Sequence, residues 1–290
     1  MTLSGPPQIP RWLHRFAPPL TPYLAGWITT ATCGIGFVDG TVGSIFSLFS
    51  SPPPVDQLAG TNDGQALDAH WLFSLTLIGL AVLAVFAVRR VTSSTFHDLG
   101  FGQPVGHGAP GTIFGATLAW SAIATAAADG TPALLSRLGI VGRPAPGAGA
   151  TGLSTYLGDI PDSLAAGITE EILLFALPIA LLRIRRWSTA KILAVVVLAR
   201  VGIHLYYGWG VLLVLPWMIG AYLLYQVTRS IWPAIIGHAI YDLVTFANNR
   251  FPTNALPNQI RYLLAAAGAA GLLLVALPTG LKWIKRIVRV

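Results

Sequence analysis

The chain has 290 residues, 54% of them hydrophobic and only 10% charged, with a mean hydropathy of +0.66 and a formal net charge of +7. A soluble globular domain carries about 25% charged residues, so the composition excludes that class and points to an all-α, polytopic membrane helical bundle. One cysteine, Cys33, excludes a disulfide framework, and the basic residues sit at the ends of apolar segments rather than in one patch, which sets nucleic acid aside as a partner.

The first 21 residues open with "MTLSGPPQIPRWLHRF". Prolines stand where the apolar centre of a signal peptide would lie, so no cleaved signal is expected and the segment reads as a cytoplasmic tail. Eight apolar segments follow, at roughly 22–48, 70–88, 111–128, 160–182, 190–206, 209–228, 231–248 and 260–281. In lipid the backbone must satisfy its own hydrogen bonds, so each is expected as a helix. The first contains Asp39, read as a bend or helix-end residue, and the seventh is short and polar. The longest connection runs from Asp129 to Asp159. Within it "ALLSRLG" reads as a short interfacial helix and "GRPAPGAGATG" as a flexible loop. Residues 22–281 form one transmembrane domain, followed by a basic cytoplasmic tail at 282–290.

Charge placement sets the topology. With the N-terminus inside, thirteen Lys and Arg residues fall on inside segments and four (Arg137, Arg143, Arg250, Arg261) on outside ones; Arg200 lies within a span. That bias follows the positive-inside rule and predicts an even number of spans with both termini cytoplasmic. Arginine outnumbers lysine 15 to 3, and Ala, Gly and Pro are abundant, which suggests a GC-rich bacterial source. A multi-pass protein of the bacterial plasma membrane is expected, with the lipid bilayer as its first partner.

Ionisable groups inside spans are costly, at about 2.5–3.5 kcal/mol for an acidic residue near mid-span. Glu170 and Glu171 are the only glutamates in the chain, and they stand together in the apolar run "GITEEILLF". About 100° of helix separates them, so they are not expected to point in one direction. Arg200 and His204 are i and i+4 on the fifth segment; His238 and Asp242 are i and i+4 on the seventh. Each group also has a plain structural reading: a protonated strut, a satisfied interhelical histidine, an ion-pair partner. Three polar facets on three segments favour one shared pocket instead. His14, His70, His97 and His107 fall in tails or loops and are given no role.

"EEILLF" from Glu170, "RVGIH" ending at His204 and "HAIYD" from His238 to Asp242 resemble the CPBP family of CAAX-protease-like intramembrane endopeptidases, related to Ras-converting enzymes and bacteriocin-immunity proteins. Its motifs are EExxxR, FxxxH and HxxxN or HxxxD on successive polar spans. The resemblance covers roughly residues 70–250, and "HDLGF" at His97–Phe101 is similar to a cytoplasmic loop of the family. Two positions depart from the pattern: Phe175 stands where the family has Arg, and Arg200 where it has Phe. The swap is reciprocal, so positions 175 and 200 are expected to face each other, with Arg200 reaching Glu171 and Phe175 filling the vacated volume.

The resemblance implies a membrane-embedded protease acting on a protein or peptide substrate. Glu170 would be the general base with His204 helping to hold the water, and His238 and Asp242 would serve the oxyanion. Glu171 and Arg200 would form a structural charge pair. Glu170, His204 and His238 also make a His₂Glu set of the kind that binds zinc. No HExxH occurs, however, and the metal-free reading is preferred, with no cofactor required. No GxSxG nucleophile motif is present. Gly158–Asp159 and Tyr241–Asp242 stand in the wrong order for aspartyl intramembrane proteases. Two other classes remain: a proton-coupled transporter, for which no two-fold repeat is visible, and a catalytically inactive scaffold or chaperone of the same fold.

Overall fold

The computed structural model describes residues 23, 24, 26, 27, 63–103, 109–139, 152–205, 211, 212, 214–251 and 253–287. Its elements are α1 (Asp63–Thr92), α2 (Ala109–Arg137), α3 (Leu153–Glu171), a π-helical turn (Ile172–Ala176), α4 (Leu177–Ile184), α5 (Thr189–Ile203), α6 (Val214–Thr228), α7 (Trp232–Arg250) and α8 (Ala255–Ile287). No strand occurs among the described residues, so the fold is all-α. The expected first span falls outside the described residues except for Tyr23, Leu24, Gly26 and Trp27, of which all four are helical. Most of the glycine-rich stretch after α2 also lies outside them.

Among the described residues, three helical stretches are long and apolar enough to cross a membrane: Trp71–Thr92, Gly111–Arg137 and Thr155–Ile184. Val214–Thr228 is a shorter apolar helix. The expected count of eight is therefore not reproduced at full length. Helices α5 and α6 have 15 residues each, about 22 Å at 1.5 Å per residue, which is less than the ~30 Å of a hydrocarbon core. The expected interfacial helix "ALLSRLG" is not separate either. Helix α2 runs unbroken through Gly130 and Pro132 to Arg137, and ends where Gly139 takes a left-handed backbone, φ 71°.

Contacts between helix ends fix their directions. Arg250 at the end of α7 donates to Asp159 near the start of α3, Nε to Oδ2 at 2.8 Å and Nη2 to Oδ1 at 3.1 Å. Arg261 near the start of α8 pairs with Asp129 near the end of α2. At the opposite end of the bundle, the loop His97–Phe101 after α1 docks on the corner between α6 and α7. The Ile231 N–H donates to the Gly100 carbonyl at 2.8 Å. Gly100 has φ 90°, and a Cβ there would meet the Tyr225 hydroxyl at 2.9 Å, so only glycine fits. Asp98 accepts bonds from the hydroxyl and backbone N–H of Thr95, and these bonds hold its carboxyl below its ordinary pKa.

The core lies between α2, the π turn and α6, where Trp120, Phe175, Met218 and Tyr222 are all buried. Large apolar side chains also point outward, among them Leu72, Phe73, Phe114, Leu198 and Leu223, as lipid-facing positions should. One close approach positions the site. A Cβ on Gly167 of α3 would lie 2.8 Å from the Ile235 carbonyl and 2.9 Å from the backbone nitrogen of Ala239 on α7. Small residues at a helix crossing let backbones approach in a membrane bundle. Gly167 is one turn before Glu171, and Ala239 adjoins His238, so this contact brings the glutamate and the histidine together.

Candidate active site

The polar residues singled out in the sequence converge. Arg200 of α5 is fully buried and grips both glutamates: one guanidinium nitrogen, Nη1, donates to Glu170 Oε2, and the other, Nη2, donates to Glu171 Oε1 at 2.5 Å. The two carboxylates, expected to diverge on α3, share this one counter-charge. The guanidinium is a planar fork whose two ends reach two acceptors, and it spans the angular gap between neighbouring residues on α3. A buried arginine without such partners would be strongly unfavourable.

The chain of contacts continues through α7. His238 Nδ1 donates to the same Glu171 Oε1 at 2.9 Å, and its Nε2 lies 3.3 Å from Asp242 Oδ2. His204, which closes α5, contacts the Arg200 carbonyl through Nδ1 at 2.9 Å. A carbonyl only accepts, so in the neutral ring Nδ1 carries the proton and Nε2 is the acceptor nitrogen. Exposure separates the two acids: the Glu171 side chain is 1% exposed and that of Glu170 is 24%. Glu171 is sealed behind Arg200 and His238; Glu170 borders open space.

Two tryptophans not anticipated from the sequence frame these groups. Trp120 of α2 stacks on the His238 ring at 5.4 Å and 26°. Trp217 of α6 meets His238 edge-on at 5.1 Å and His204 at 6.2 Å, and the Arg200 guanidinium carbon lies 5.1 Å from its ring centre. The tryptophans touch each other at 5.3 Å. Nothing in the sequence marks them, because a tryptophan in an apolar segment reads equally well as lipid-facing.

Phe175 is also buried, but its ring partners are Tyr222 and Tyr225 of α6, at 6.3 and 5.7 Å. The reason is the π turn that begins immediately after Glu171. The Leu177 N–H reaches back to the Ile172 carbonyl, five residues earlier, which widens the turn. A residue four after Glu171 would share its face in an α-helix; in the wider turn Phe175 is carried toward α6. Arg200 thus reaches Glu171 as expected, while the aromatic packing of Phe175 is with α6.

The residues do not fit a metal. The His238 nitrogens face Glu171 and Asp242, and Glu170 Oε2 is held by Arg200. Among the described residues, no three His, Cys, Asp or Glu side chains form a group that could hold an ion. The alternative set Glu170, His204 and His238 is therefore not assembled, and no chemistry is routed through zinc.

Apolar helices of membrane-crossing length, together with a buried carboxylate–guanidinium–imidazole cluster, point to a helical integral membrane protein with a buried polar site. Residues 155–244 match the model of the family described as type II CAAX prenyl endopeptidase Rce1-like. The segment carrying Glu170, Glu171, Arg200, His204, His238 and Asp242 is thus similar to that endopeptidase family, in agreement with the CAAX-protease-like resemblance of its three motifs. Among curated proteins and among solved structures, nothing matches the chain.

Proposed function

We propose that the chain is an intramembrane endopeptidase in which Glu170 activates the attacking water. The observation that carries this reading is the asymmetry of the pair: Glu170 is the accessible carboxylate, and Glu171 is walled in by Arg200 and His238. One guanidinium faces two carboxylates, so the trio retains a negative charge for a base to use. Arg200 holds one oxygen of Glu170 and fixes the orientation of the other. His204, with Nδ1 anchored on the Arg200 carbonyl, presents Nε2 to the same water. His238 serves the carbonyl side of the reaction, and Asp242 orients its ring from 3.3 Å. A protein or peptide within or beside the bilayer is the substrate, and the basic end of the bundle faces the cytoplasm of a bacterial cell.

A second reading has one observation in its favour. Arg200 engages both carboxylates at once, as a purely structural cluster would, and an inactive scaffold of the same fold would look like this. Glu170→Gln separates the two. The purified protein in nanodiscs is incubated with a quenched prenylated CAAX peptide and with an unbiased peptide library, and peptides released from membranes are compared between wild type and variant. The expected outcome is loss of cleavage by at least about 10³-fold, the scale on which single removals from catalytic groups act, with an unchanged unfolding midpoint. Cleavage that persists in the variant would overturn the assignment; a biological effect that persists without cleavage would favour the scaffold.

A further inference from the structure

Four buried polar atoms of this cluster have no hydrogen-bond partner among the described residues: Glu171 Oε2, Arg200 Nε, Trp120 Nε1 and Trp217 Nε1. Buried N–H groups in folded proteins are nearly always paired, so four orphans in one cluster require an explanation. Three are donors and one is an acceptor. The surplus of donors suits a guest that brings an oxygen acceptor.

The two indoles are not equivalent. Trp120 stacks nearly parallel on one histidine and acts as a wall. Trp217 touches His204, His238 and Arg200 together and is 6% exposed, so its N–H belongs to a ring shared by every arm of the site. His238, meanwhile, is fully engaged: Nδ1 bonds to Glu171 and Nε2 faces Asp242. His238 can therefore give the carbonyl oxygen only a hydrogen bond shared with Asp242, and an oxygen that acquires charge beside this ring gains from a second donor.

We infer that Trp217 Nε1–H donates a hydrogen bond to the scissile carbonyl oxygen of the bound peptide and to the oxyanion formed from it. The inference rests on the peptidase reading above. The water oxygen bonds to the carbonyl carbon, Glu170 takes the water's proton, and the carbonyl π pair moves onto the oxygen facing the indole. When that pair returns, the C–N bond breaks and the amine leaves with the proton from Glu170. Trp217 transfers nothing; its N–H dipole stabilises charge that exists only in the intermediate and the flanking transition states, so it acts on kcat more than on KM.

The test replaces the N–H and keeps the ring. Trp217→Phe preserves an aromatic face toward Arg200 and the histidines. Substitution of Trp217 by 3-benzothienylalanine, in which sulfur replaces the N–H, preserves the full bicyclic shape should the smaller ring fail to fold. With the quenched prenylated CAAX peptide or a library peptide that the wild type cleaves, kcat is expected to fall about 10²-fold in either variant. KM should stay within about threefold, and Trp71→Phe, on the outward face of α1, should leave kcat within about threefold of wild type. Full kcat in the benzothienyl variant, with Glu170→Gln inactive, would overturn the role of Trp217 and leave the peptidase reading standing. A wild type that cleaves no peptide, or a Glu170→Gln variant that still cleaves, would overturn both.

Discussion

At the scale of single residues, the cost of burying charge explains most of the site. Arg200 is fully buried, and Glu171 is 1% exposed. Removing one member of such a pair strands the other, which costs about 3–5 kcal/mol. Arg200→Met is therefore expected to destabilise by about that amount, read from the unfolding midpoint in detergent. Arg200→Met with Glu171→Gln should recover part of the loss, because no ionised group is then left behind. If the single variant unfolds like wild type, the ion pair contributes no stability. These charged residues were also the legible part of the sequence. Glu170, Glu171, Arg200, His204, His238 and Asp242 stand out because lipid tolerates such groups only for a reason, and all six are brought into one cluster. Trp120 and Trp217 were illegible because an apolar environment hides aromatic side chains that a charged group would announce.

At the scale of elements, the site depends on two features of α3 that hydropathy does not encode. One is the close crossing with α7 at Gly167, where even a Cβ would overlap the Ile235 carbonyl and Ala239. Overpacking in a tight contact costs about 1–3 kcal/mol, and here it would also draw Glu171 away from His238. Gly167→Val should lower both the unfolding midpoint and peptide cleavage, with Gly167→Ala between it and wild type. Gly130→Ala is the contrast: a Cβ at Gly130 of α2 meets nothing within 4 Å, and alanine is the better helix former by about 1 kcal/mol, so that variant should be neutral or more stable. Equal effects at the two glycines would mean that the crossing does not position the site. The other feature is the π turn at Ile172–Ala176. Sequence periodicity assumes 3.6 residues per turn, so it gives no sign of the widened turn or of the packing of Phe175 on Tyr222 and Tyr225 of α6. Helix existence was legible from apolar runs. Helix length was not, because α5 and α6 stop short of a full span and α2 runs further than its polar residues suggested.

At the scale of the whole molecule, orientation in the membrane follows from which end of the bundle collects positive charge. Arg89 and Arg90 end α1, Arg183, Arg185, Arg186 and Lys191 surround the turn from α4 to α5, and Arg229 stands between α6 and α7. The loop His97–Phe101 docks at this end through Gly100 and Ile231. The other end holds Asp159 with Arg250 and Asp129 with Arg261, where arginine is balanced by an acid. By the positive-inside rule the end with the larger share of positive charge is expected on the cytoplasmic side, which puts the α4–α5 turn inside the cell on this proposal. Ser188 in that turn and Thr253 between α7 and α8 are both exposed, which makes them reporters of the two faces. In a Cys33→Ser background, Ser188→Cys should react with a membrane-impermeant maleimide only after cells are permeabilised, and Thr253→Cys should react in intact cells. The opposite pattern would invert the protein. Glu170 lies in the same helical stretch that carries α3 from the Asp159 end to the Arg183 end, so inversion would also exchange the compartments between which a cleaved substrate is released.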